Sequence, residues 1–558
     1  MLPGVVQASS PARPRDLQPA ECEESAPGGE SRLRGEARMS GRVCPGSGLS
    51  ARDLSFELPT AAPEVEWCRV SCDMKRKQVL GLGLSLLVTG LFFLSVASAR
   101  QERAAAGFDG YFTGRTLRFD YYHSGTATQE RLSEDSIRLE GLWPGSRTQL
   151  VDSTNLGKYL FEVVDPVDGR TIYSRGFASI YGEWETTGEA RQEIWRTFQE
   201  SQRFPEPTKP VRLAFSKRGR DGHFVPLASF DVDPAGRFVD RSEIRPQGRL
   251  WAVMRNGEPA TKADLLVLGD GYTEGEADKF HSDTERLVGA LFDTEPFRSR
   301  RRDFNVWAID LPSAQSGISD PRRGVWRDSP LGLSFNAFDT DRYVLTYANR
   351  RLRDIAAQAP YDFLVILFND RKYGGGGIFN LWATCAADTK PASYVFVHEL
   401  GHSIGGLGDE YYSSQVAYED FTPVDVEPWE PNITALLDPK RLKWADLVAP
   451  STPIPTPWDQ AAYDRIASSY DRKRSGLRDE QASDSQMERL FDEVAAATGP
   501  LLRKEPYFGK VGAFEGAGYR PQGLYRPAVD CIMFTRNPKS FCSVCRRAIE
   551  RIIDLYAH

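Results

Sequence analysis

Phe363-Leu-Val-Ile-Leu-Phe368 is an uninterrupted run of six apolar residues, the pattern of a strand that is buried on both faces of a sheet. Mostly apolar runs also occur at Asp264–Leu268 and Phe304–Ile309, and each predicts a further buried strand. Helical patterns lie between these strands, over Glu274–Phe292 and Arg342–Ala359. Strands that alternate with helices in this way indicate an α/β (α+β) fold with a largely parallel sheet.

The sequence before this region has a different pattern, from Gly107 to about Pro234. Short alternating runs such as Tyr159–Val164 and Val211–Phe215 are separated by Gly, Pro, Asp and Asn. Such spacing is typical of an antiparallel β-sandwich. We therefore expect an all-β sandwich domain over residues 100–235, followed by a second domain over residues 250–558.

The N-terminal hundred residues are interpreted as a leader and a signal peptide. Residues 1–73 are rich in Pro, Gly, Arg, Ser and Glu without periodicity, which predicts a disordered leader with a misassigned start. From Met74, basic residues precede a long apolar run that ends in Ala97-Ser98-Ala99, as in a secretory signal peptide over 74–99. A membrane anchor is the alternative. Cleavage before Arg100 predicts a secreted or periplasmic protein without stable membrane association.

The overall composition narrows the functional classes. The chain has 558 residues, of which 41% are hydrophobic and 26% charged, enough for two or three domains with packed cores. Its net charge of -7 is not accompanied by a sustained basic block. A nucleic acid partner is therefore not expected.

The segment His398-Glu399-Leu400-Gly401-His402 contains the candidate metal-binding and catalytic residues. On a helix, histidines four residues apart project from one face and can hold one zinc ion. The glutamate lies one step round the helix, where it can reach a water activated by the metal without binding the metal itself. The motif therefore predicts a zinc metallopeptidase in which Glu399 is the general base.

A third protein ligand is required, and no histidine follows the motif closely. Three glycines after His402 allow the backbone to turn back towards the metal and offer Asp409 as an oxygen ligand. Glu410 is the second choice. The alternative is that both acidic residues only cap or solvate a loop.

Two further segments surround the motif. Gly374–Gly377 allows a backbone to pass close to another group, such as a substrate chain that pairs along a sheet edge, or else forms a flexible loop. Residues 420–506 contain scattered prolines and a polar helical pattern over Asp479–Ala497. We expect this segment to be an insertion packed on the catalytic domain.

Four cysteines follow the predicted signal peptide: Cys385, Cys531, Cys542 and Cys545. An even number in an exported protein predicts two disulfides, although the pairing is open. The Cys542-x-x-Cys545 pair is alternatively a redox pair or half of a zinc site.

Several motifs together resemble a known family. They are HELGHSIGGLGDEYY at 398–412, YGGGGIFN at 373–380, EGAGY at 515–519, GLYRP at 523–527 and DCIM at 530–533. In these motifs the chain resembles the IgA-cleaving metallopeptidases of the metzincin-type clan, from about residue 264 to the C-terminus and more weakly in the sandwich. The resemblance implies a zincin-like catalytic domain preceded by a β-sandwich.

The resemblance also implies roles for single residues. His398 and His402 match zinc ligands, Glu399 matches the catalytic acid/base, and Asp409 matches the third ligand. The usual metzincin spacing places that ligand at Gly408, one residue earlier, so the end of the helix must differ locally in this chain.

Two downstream residues receive roles only through the resemblance. Met533 matches the methionine that forms an apolar floor below the metal; the alternative is an ordinary core methionine. Tyr525 matches a tyrosine that donates a hydrogen bond to the oxyanion of the tetrahedral intermediate.

The expected substrate is a protein or peptide outside the cell, and the expected cofactor is Zn²⁺. One alternative is a non-catalytic extracellular binding or adhesion protein that carries a relic metallopeptidase domain. Another is a zinc hydrolase of non-peptide substrates. The intact motif argues against a relic, since a domain without chemistry has no need of Glu399.

Overall fold

A computed structural model describes residues 107–412, 423–480, 482–537 and 540–557. The predicted leader (1–73) and signal peptide (74–99) lie outside the described residues. In the described ranges, no helix has both the length and the apolar composition needed to cross a membrane.

The N-terminal region consists of strands in two four-stranded sheets. The strands are β1 Phe112–Gly125, β2 Glu130–Leu142, β3 Tyr159–Val164, β4 Thr171–Phe177, β5 Arg196–Pro207, β6 Val211–Arg218, β7 Phe224–Val232 and β8 Val239–Asp240. One sheet has the order β5-β1-β2-β8 and the other β4-β3-β6-β7. The paired strands are antiparallel except β2 and β8, which run parallel. Short helices lie at Phe108–Tyr111 (α1), Ile180–Trp184 (α2) and Gly188–Arg191 (α3).

Apolar side chains of both sheets share one hydrophobic core. Phe119 on β1 and Phe215 on β6 have ring centroids 6.1 Å apart, and Phe161 on β3 lies 5.4 Å from Phe204 on β5. All four rings are buried. The alternation that predicted strands β3 and β6 therefore reflects one face of each strand that packs inward.

A buried histidine is held between two carboxylates in this region. His123 is 1% exposed, and its Nδ1 and Nε2 lie 2.9 Å from Glu200 Oε2 and 2.7 Å from Glu130 Oε1. Both ring nitrogens therefore donate, as in an imidazolium. Burial alone lowers the pKa of His123, but the two carboxylates outweigh it and raise the pKa to about 9.

This arrangement predicts a pH-dependent stability. Because the folded pKa lies above that of an unfolded histidine, the stabilisation is complete below about pH 6.5 and is lost as the pH rises through about 9. A shift of this size corresponds to roughly 3 kcal/mol. Chemical denaturation of wild type and His123→Gln between pH 6 and 10 should show the variant's deficit shrinking as the pH rises. A deficit that is constant over this range would contradict the imidazolium.

The second region is built on a six-stranded mixed sheet of order β13-β14-β12-β10-β11-β9. Its strands are β9 Arg249–Met254, β10 Ala263–Asp270, β11 Phe304–Asp310, β12 Phe363–Phe368, β13 Gly375–Ile378 and β14 Trp382–Ala386. β10 pairs in parallel with β11 and β12, and β12 with β14, whereas the two edge strands β9 and β13 are antiparallel. The helices of this region are α4 Ala277–Phe292, α5 Asn349–Ala356 and α6 Ala392–Gly405.

The three predicted buried strands are confirmed as β10, β11 and β12. Every residue of β12 and of β10, including Asp264 and Asp270 of β10, is buried, as in strands that are covered on both faces of a sheet. The chain is thus a mixed α and β protein with several sheets.

The helix predicted over Arg342–Ala359 is wrong in its first half, since α5 begins only at Asn349. Val344 N donates to Gly375 O, and Leu345 exchanges backbone hydrogen bonds with Ser334. These long-range backbone bonds hold the segment extended. Tertiary pairing here overrides the local apolar pattern.

The C-terminal part adds three helices and a hairpin to the described chain. Helices α7 Gln460–Asp479 and α8 Asp484–Arg503 lie within the predicted insertion. Tyr463 and Leu502 of these helices are buried in the same core as the six-stranded sheet. Strands β15 Phe514–Ala517 and β16 Arg520–Arg526 and the helix α9 Ser543–Tyr556 complete the region.

Candidate metal centre and active-site cleft

Helix α6 carries both motif histidines and ends sharply after them. Gly406 has φ 62°, a left-handed conformation that glycine adopts without strain. Its N–H donates to His402 O at 3.0 Å. The chain therefore reverses its direction directly after the helix and brings the acidic residues that follow back towards the histidines.

Three potential ligand atoms meet at this reversal. His398 Nε2 and His402 Nε2 are 3.1 Å apart, and Asp409 Oδ1 lies 3.1 Å from the first and 3.2 Å from the second. Ligands about 2.1 Å from a tetrahedral zinc ion are separated by roughly 3.4 Å. The triangle therefore has the size that a zinc ion requires.

Hydrogen bonds on the far side of each imidazole orient the two rings. His398 Nδ1 lies 3.1 Å from Ile532 O, and His402 Nδ1 lies 2.6 Å from Leu407 O. A backbone carbonyl only accepts, so each Nδ1 carries a proton and each Nε2 is left to face the other ring and Asp409. Two nitrogen lone pairs and a carboxylate oxygen at this distance fit a divalent cation, and such carbonyl partners are typical of metal-binding histidines.

Asp409 is held by a tyrosine as well as by the histidines. Its second oxygen, Oδ2, accepts a hydrogen bond from the hydroxyl of Tyr519. Burial alone would raise the pKa of Asp409, but His402 and His398 hold it well below its ordinary value. Asp409 is therefore an anion that faces the histidines.

Glu410, the alternative third ligand, points away from the histidines. Its Oε1 accepts from Asn432 Nδ2 at 3.0 Å and lies 3.2 Å from Cys545 Sγ. Its carboxylate belongs to a second group of side chains, together with Cys531, Cys542 and Cys545. The structure brings Asp409, and not Glu410, together with His398 and His402.

Glu399 lies beside the histidines on α6 and lines the cleft. Burial raises its pKa above the ordinary value of a glutamate. A Cβ atom at Gly375 would lie 3.4 Å from Glu399 Cγ, so strand β13 runs directly past this side chain. Strand β13 thus lies next to the side chain of Glu399 on the helix that carries both histidines.

Three of the four glycines lie in strand β13, so the alternative of a flexible loop is wrong for them. A Cβ atom at Gly377 would lie 2.3 Å from Glu399 O and 3.0 Å from His402 Cβ. Only glycine lets β13 pack this closely on α6. The backbone of β13 therefore lies directly against α6, the helix that carries His398 and His402. β13 also lines the cleft.

A cleft of about 450 Å³ contains the three candidate ligands and Glu399. Aromatic residues of α7, α8 and the preceding segment line it together with β13, among them Trp429, Tyr463 and Phe491. The N-terminal region also contributes Glu183 and Arg218. The cleft is therefore a joint product of the N-terminal sheets, the six-stranded sheet and the predicted insertion.

Met533 packs against α6, the helix that carries His398 and His402. It is fully buried, and a Cβ atom at Gly401, between the two histidines, would lie 3.1 Å from Met533 Sδ. The preceding residue, Ile532, supplies the carbonyl that orients His398. The role of Met533 as an apolar floor below a metal stays a prediction.

Tyr525 is not among the residues that line the cleft. It lies on β16 opposite Glu515, and its hydroxyl is hydrogen-bonded to the Glu515 carboxylate. The neighbouring residues of the strand, Leu524 and Arg526, are fully buried and point into the core. Since successive side chains of a strand face opposite sides, Tyr525 points away from that core. Tyr519, in the nearby EGAGY motif, is the tyrosine that the hairpin brings to the cleft.

Sequence reasoning missed Asn432 as well as Tyr519. Asn432 is fully buried; its Oδ1 accepts from Gly408 N at 2.8 Å and its Nδ2 donates to Gly408 O at 2.9 Å. These bonds fasten the residue before Asp409. The only signal was the presence of Tyr519 in a motif of the family; nothing in the sequence pointed to Asn432 as part of the site.

The two predicted disulfides are wrong for the described cysteines, which are all free thiols. The thiol of Cys385 lies 3.6 Å from each of the carbonyls of Ala386 and Ala392, within its own part of the fold. The other three cysteines cluster with Glu410. An even number of cysteines therefore did not imply pairs.

A Tyr519→Phe variant should test the support of Asp409. We expect zinc affinity to fall about 10- to 100-fold, because the hydroxyl orients a ligand and such partners have effects of this size. Competition with a chromogenic chelator measures the affinity. Tyr525→Phe is the matched comparison, and we expect its zinc affinity and kcat/KM to remain near wild type. A large fall in kcat for Tyr525→Phe would instead support its oxyanion role.

Comparison with known protein families adds two matches. A family model described as IgA peptidase M64 matches residues 252–553, more than half of the chain. A model for the N-terminus of peptidase M64 matches residues 107–228. No curated protein matches the chain. The first match contains His398, His402, Asp409 and Glu399, and the second falls on the two N-terminal sheets.

Proposed function

Because the chain belongs to the IgA peptidase M64 family, which indicates a metallopeptidase, we propose that it is a secreted zinc-dependent endopeptidase acting on extracellular proteins. The observation that carries the proposal is the triangle of His398 Nε2, His402 Nε2 and Asp409 Oδ1, with edges of 3.1–3.2 Å. Glu399 lies beside this triangle, in a cleft.

His398, His402 and Asp409 are the proposed zinc ligands. Two imidazoles and one carboxylate form a donor set that zinc accepts, and three protein ligands leave a fourth position open, as in catalytic zinc sites. A zinc ion bound there would act as a Lewis acid towards a water molecule and towards the substrate carbonyl. The carbonyls of Ile532 and Leu407 keep the rings in the tautomer that such binding requires.

Glu399 is the proposed general base and then general acid. Its carboxylate takes the proton of the attacking water and delivers it to the nitrogen of the leaving amine. Its place on α6, one residue after His398, keeps it close to the metal without binding it. Its side chain lies next to β13 and lines the cleft, where a substrate would bind.

The proposed substrate is an extended peptide that binds along β13. β13 is the edge strand of the six-stranded sheet; Gly375 already bonds Arg342 and Val344, and the next glycines, Gly376 and Gly377, also line the cleft without side chains. An extended chain can add to such an edge through main-chain hydrogen bonds. The aromatic residues of the opposite wall, such as Trp429 and Phe491, would contact the substrate's side chains.

The finer description of the architecture is part of the proposal. We interpret residues 250–558 as a zincin-like catalytic domain and residues 100–235 as a β-sandwich domain. Ala178 N donates to Phe379 O at 2.9 Å, next to β13, which supports a role for the N-terminal region in shaping the cleft. The sequence of residues 74–99 supports export to the periplasm or the medium.

Digestion of a peptide library tests the function. The purified chain should contain zinc and cleave peptides at internal bonds, as identified by mass spectrometry. A chelator should abolish cleavage, and added Zn²⁺ but not Mg²⁺ should restore it, because histidine ligands favour zinc over magnesium. A zinc-loaded protein that cleaves no peptide would contradict the proposal and support a binding protein with a relic domain.

A further inference from the structure

A second group of metal-binding side chains lies beneath the floor of the cleft. Glu410, Cys531, Cys542 and Cys545 each offer one ligand atom, and these four atoms lie within 4.8 Å of one another. They come from three separate segments: the turn after α6, the segment that carries Met533, and the start of α9. The proposed catalytic mechanism uses none of them.

The distances in this group are those of ligands around one ion. Cys531 Sγ and Cys545 Sγ are 3.9 Å apart. Two thiolates about 2.3 Å from a tetrahedral zinc ion are separated by roughly 3.8 Å, whereas the sulfurs of a disulfide are about 2.05 Å apart. Cys545 Sγ also lies 3.2 Å from Glu410 Oε1. The sulfurs are therefore placed as neighbours around a common centre and not as a bonded pair.

One oxygen of the Glu410 carboxylate is buried without a hydrogen-bond partner in the described structure. Its residue has 0% exposure, and Oε2 has no hydrogen-bond partner in the described structure. The other oxygen, Oε1, accepts from Asn432 and contacts Cys545. An unpaired buried carboxylate is very unfavourable, whereas a buried carboxylate that binds a cation is stable. The orphaned oxygen thus points to a missing cation.

The two cysteines of the Cys-x-x-Cys pair sit at the beginning of a helix. Cys542 is the N-cap of α9, and Cys545 lies in its first turn. The positive end of the helix dipole lies here and favours negative charge. Cys542 N donates towards Cys531 Sγ at 3.3 Å. The start of α9 therefore directs one backbone N–H at a sulfur of the group.

We propose that Glu410, Cys531, Cys542 and Cys545 bind a structural zinc ion, separate from the one in the cleft. Three thiolates and a carboxylate complete a tetrahedral sphere without an open position, as in structural zinc sites. Soft thiolate ligands favour zinc over magnesium or calcium.

The site would fasten the parts of the chain that support the cleft. Glu410 follows Asp409 directly, and its N–H donates to Met533 O at 2.9 Å. Cys531 precedes Ile532, whose carbonyl orients His398. An ion bound by Glu410, Cys531 and the cysteines of α9 would therefore fix the positions of Asp409 and of the Ile532 carbonyl relative to this helix.

Metal content of the full chain, purified with reductant and without added metal, tests the site. We expect two zinc ions per chain in wild type and in Cys385→Ser, the control for a buried cysteine outside the group. We expect one in Cys542→Ser and in Cys545→Ser. The cysteines at positions 22, 44, 68 and 72 are present in every variant, so they cancel in the comparison.

A second variant keeps the test valid if the cysteine variants do not fold. His398→Ala/His402→Ala removes two of the three proposed cleft ligands and leaves Glu410 and the three cysteines intact. This variant should retain one zinc ion per chain, and its cobalt-substituted form should show thiolate-to-cobalt charge-transfer absorption, which the cleft ligands cannot produce. The outcome is therefore independent of whether the protein is a peptidase.

Two results would overturn the second site. One is the absence of both zinc and charge-transfer absorption in the double histidine variant. The other is a disulfide between two cysteines of the group, detected by peptide mapping of the alkylated, non-reduced wild-type protein.

Discussion

Glu399→Gln is expected to lower kcat for peptide cleavage by about 10²- to 10⁴-fold, the range that removal of a general base produces. Glutamine has nearly the same shape as glutamate but cannot accept a proton. Since Glu399 is not a proposed metal ligand, the zinc content of the variant should equal that of wild type. Single-turnover cleavage of a peptide found in the library screen, together with zinc analysis, measures both quantities.

Glu285→Gln is the matched control for this variant. Glu285 is exposed on α4 and lies outside the cleft lining, so the same chemical change there should leave kcat unaltered. Activity of Glu399→Gln close to that of wild type would remove the glutamate from the mechanism.

Asp409→Ala is expected to lower both the zinc affinity of the cleft and the activity at least about 10²-fold, since the loss of even an indirect partner of a ligand has effects of 10- to 100-fold. The variant leaves the two imidazoles in place. Raised zinc concentrations should therefore recover part of its activity, whereas Glu399→Gln should not respond to zinc. This contrast separates a ligand from a proton carrier.

Asp293→Ala serves as the control, because Asp293 is an exposed aspartate at the end of α4. Zinc affinity is measured by competition with a chelator, and activity by cleavage of the same peptide across a zinc titration. Unchanged affinity in Asp409→Ala would show that the third ligand is another residue.

Three strands of the six-stranded sheet, β10, β11 and β12, were predictable because each contains a nearly continuous apolar run. β12 has the same ends, Phe363 and Phe368, as the apolar run in the sequence, and a run without polar residues must be buried on both faces. The helix expected from Arg342 failed for the opposite reason. Val344 and Leu345 fit a helical pattern, but their backbone groups bond to Gly375 and Ser334, and that pairing is invisible locally.

The proposed site also has a part that the sequence predicts and a part that only the tertiary structure reveals. The spacing of His398, Glu399 and His402 determines their relative positions, because helix geometry is local. Tyr519 is 110 residues from Asp409 in the chain, and its contact exists only because the hairpin packs under the turn after α6. No pattern within a short window records such a contact.

The neighbouring residues Asp409 and Glu410 show most clearly what the sequence predicts and what it does not. The sequence by itself predicted the helix that carries His398 and His402, the place of Glu399 on it and an acidic residue soon after His402 as the third ligand, since these predictions follow from helix periodicity and the chemistry of zinc. It left Asp409 and Glu410 as alternatives. Only the tertiary structure decided between them: the left-handed turn at Gly406 and the bonds of Asn432 orient the backbone so that Asp409 faces the histidines and Glu410 faces three cysteines.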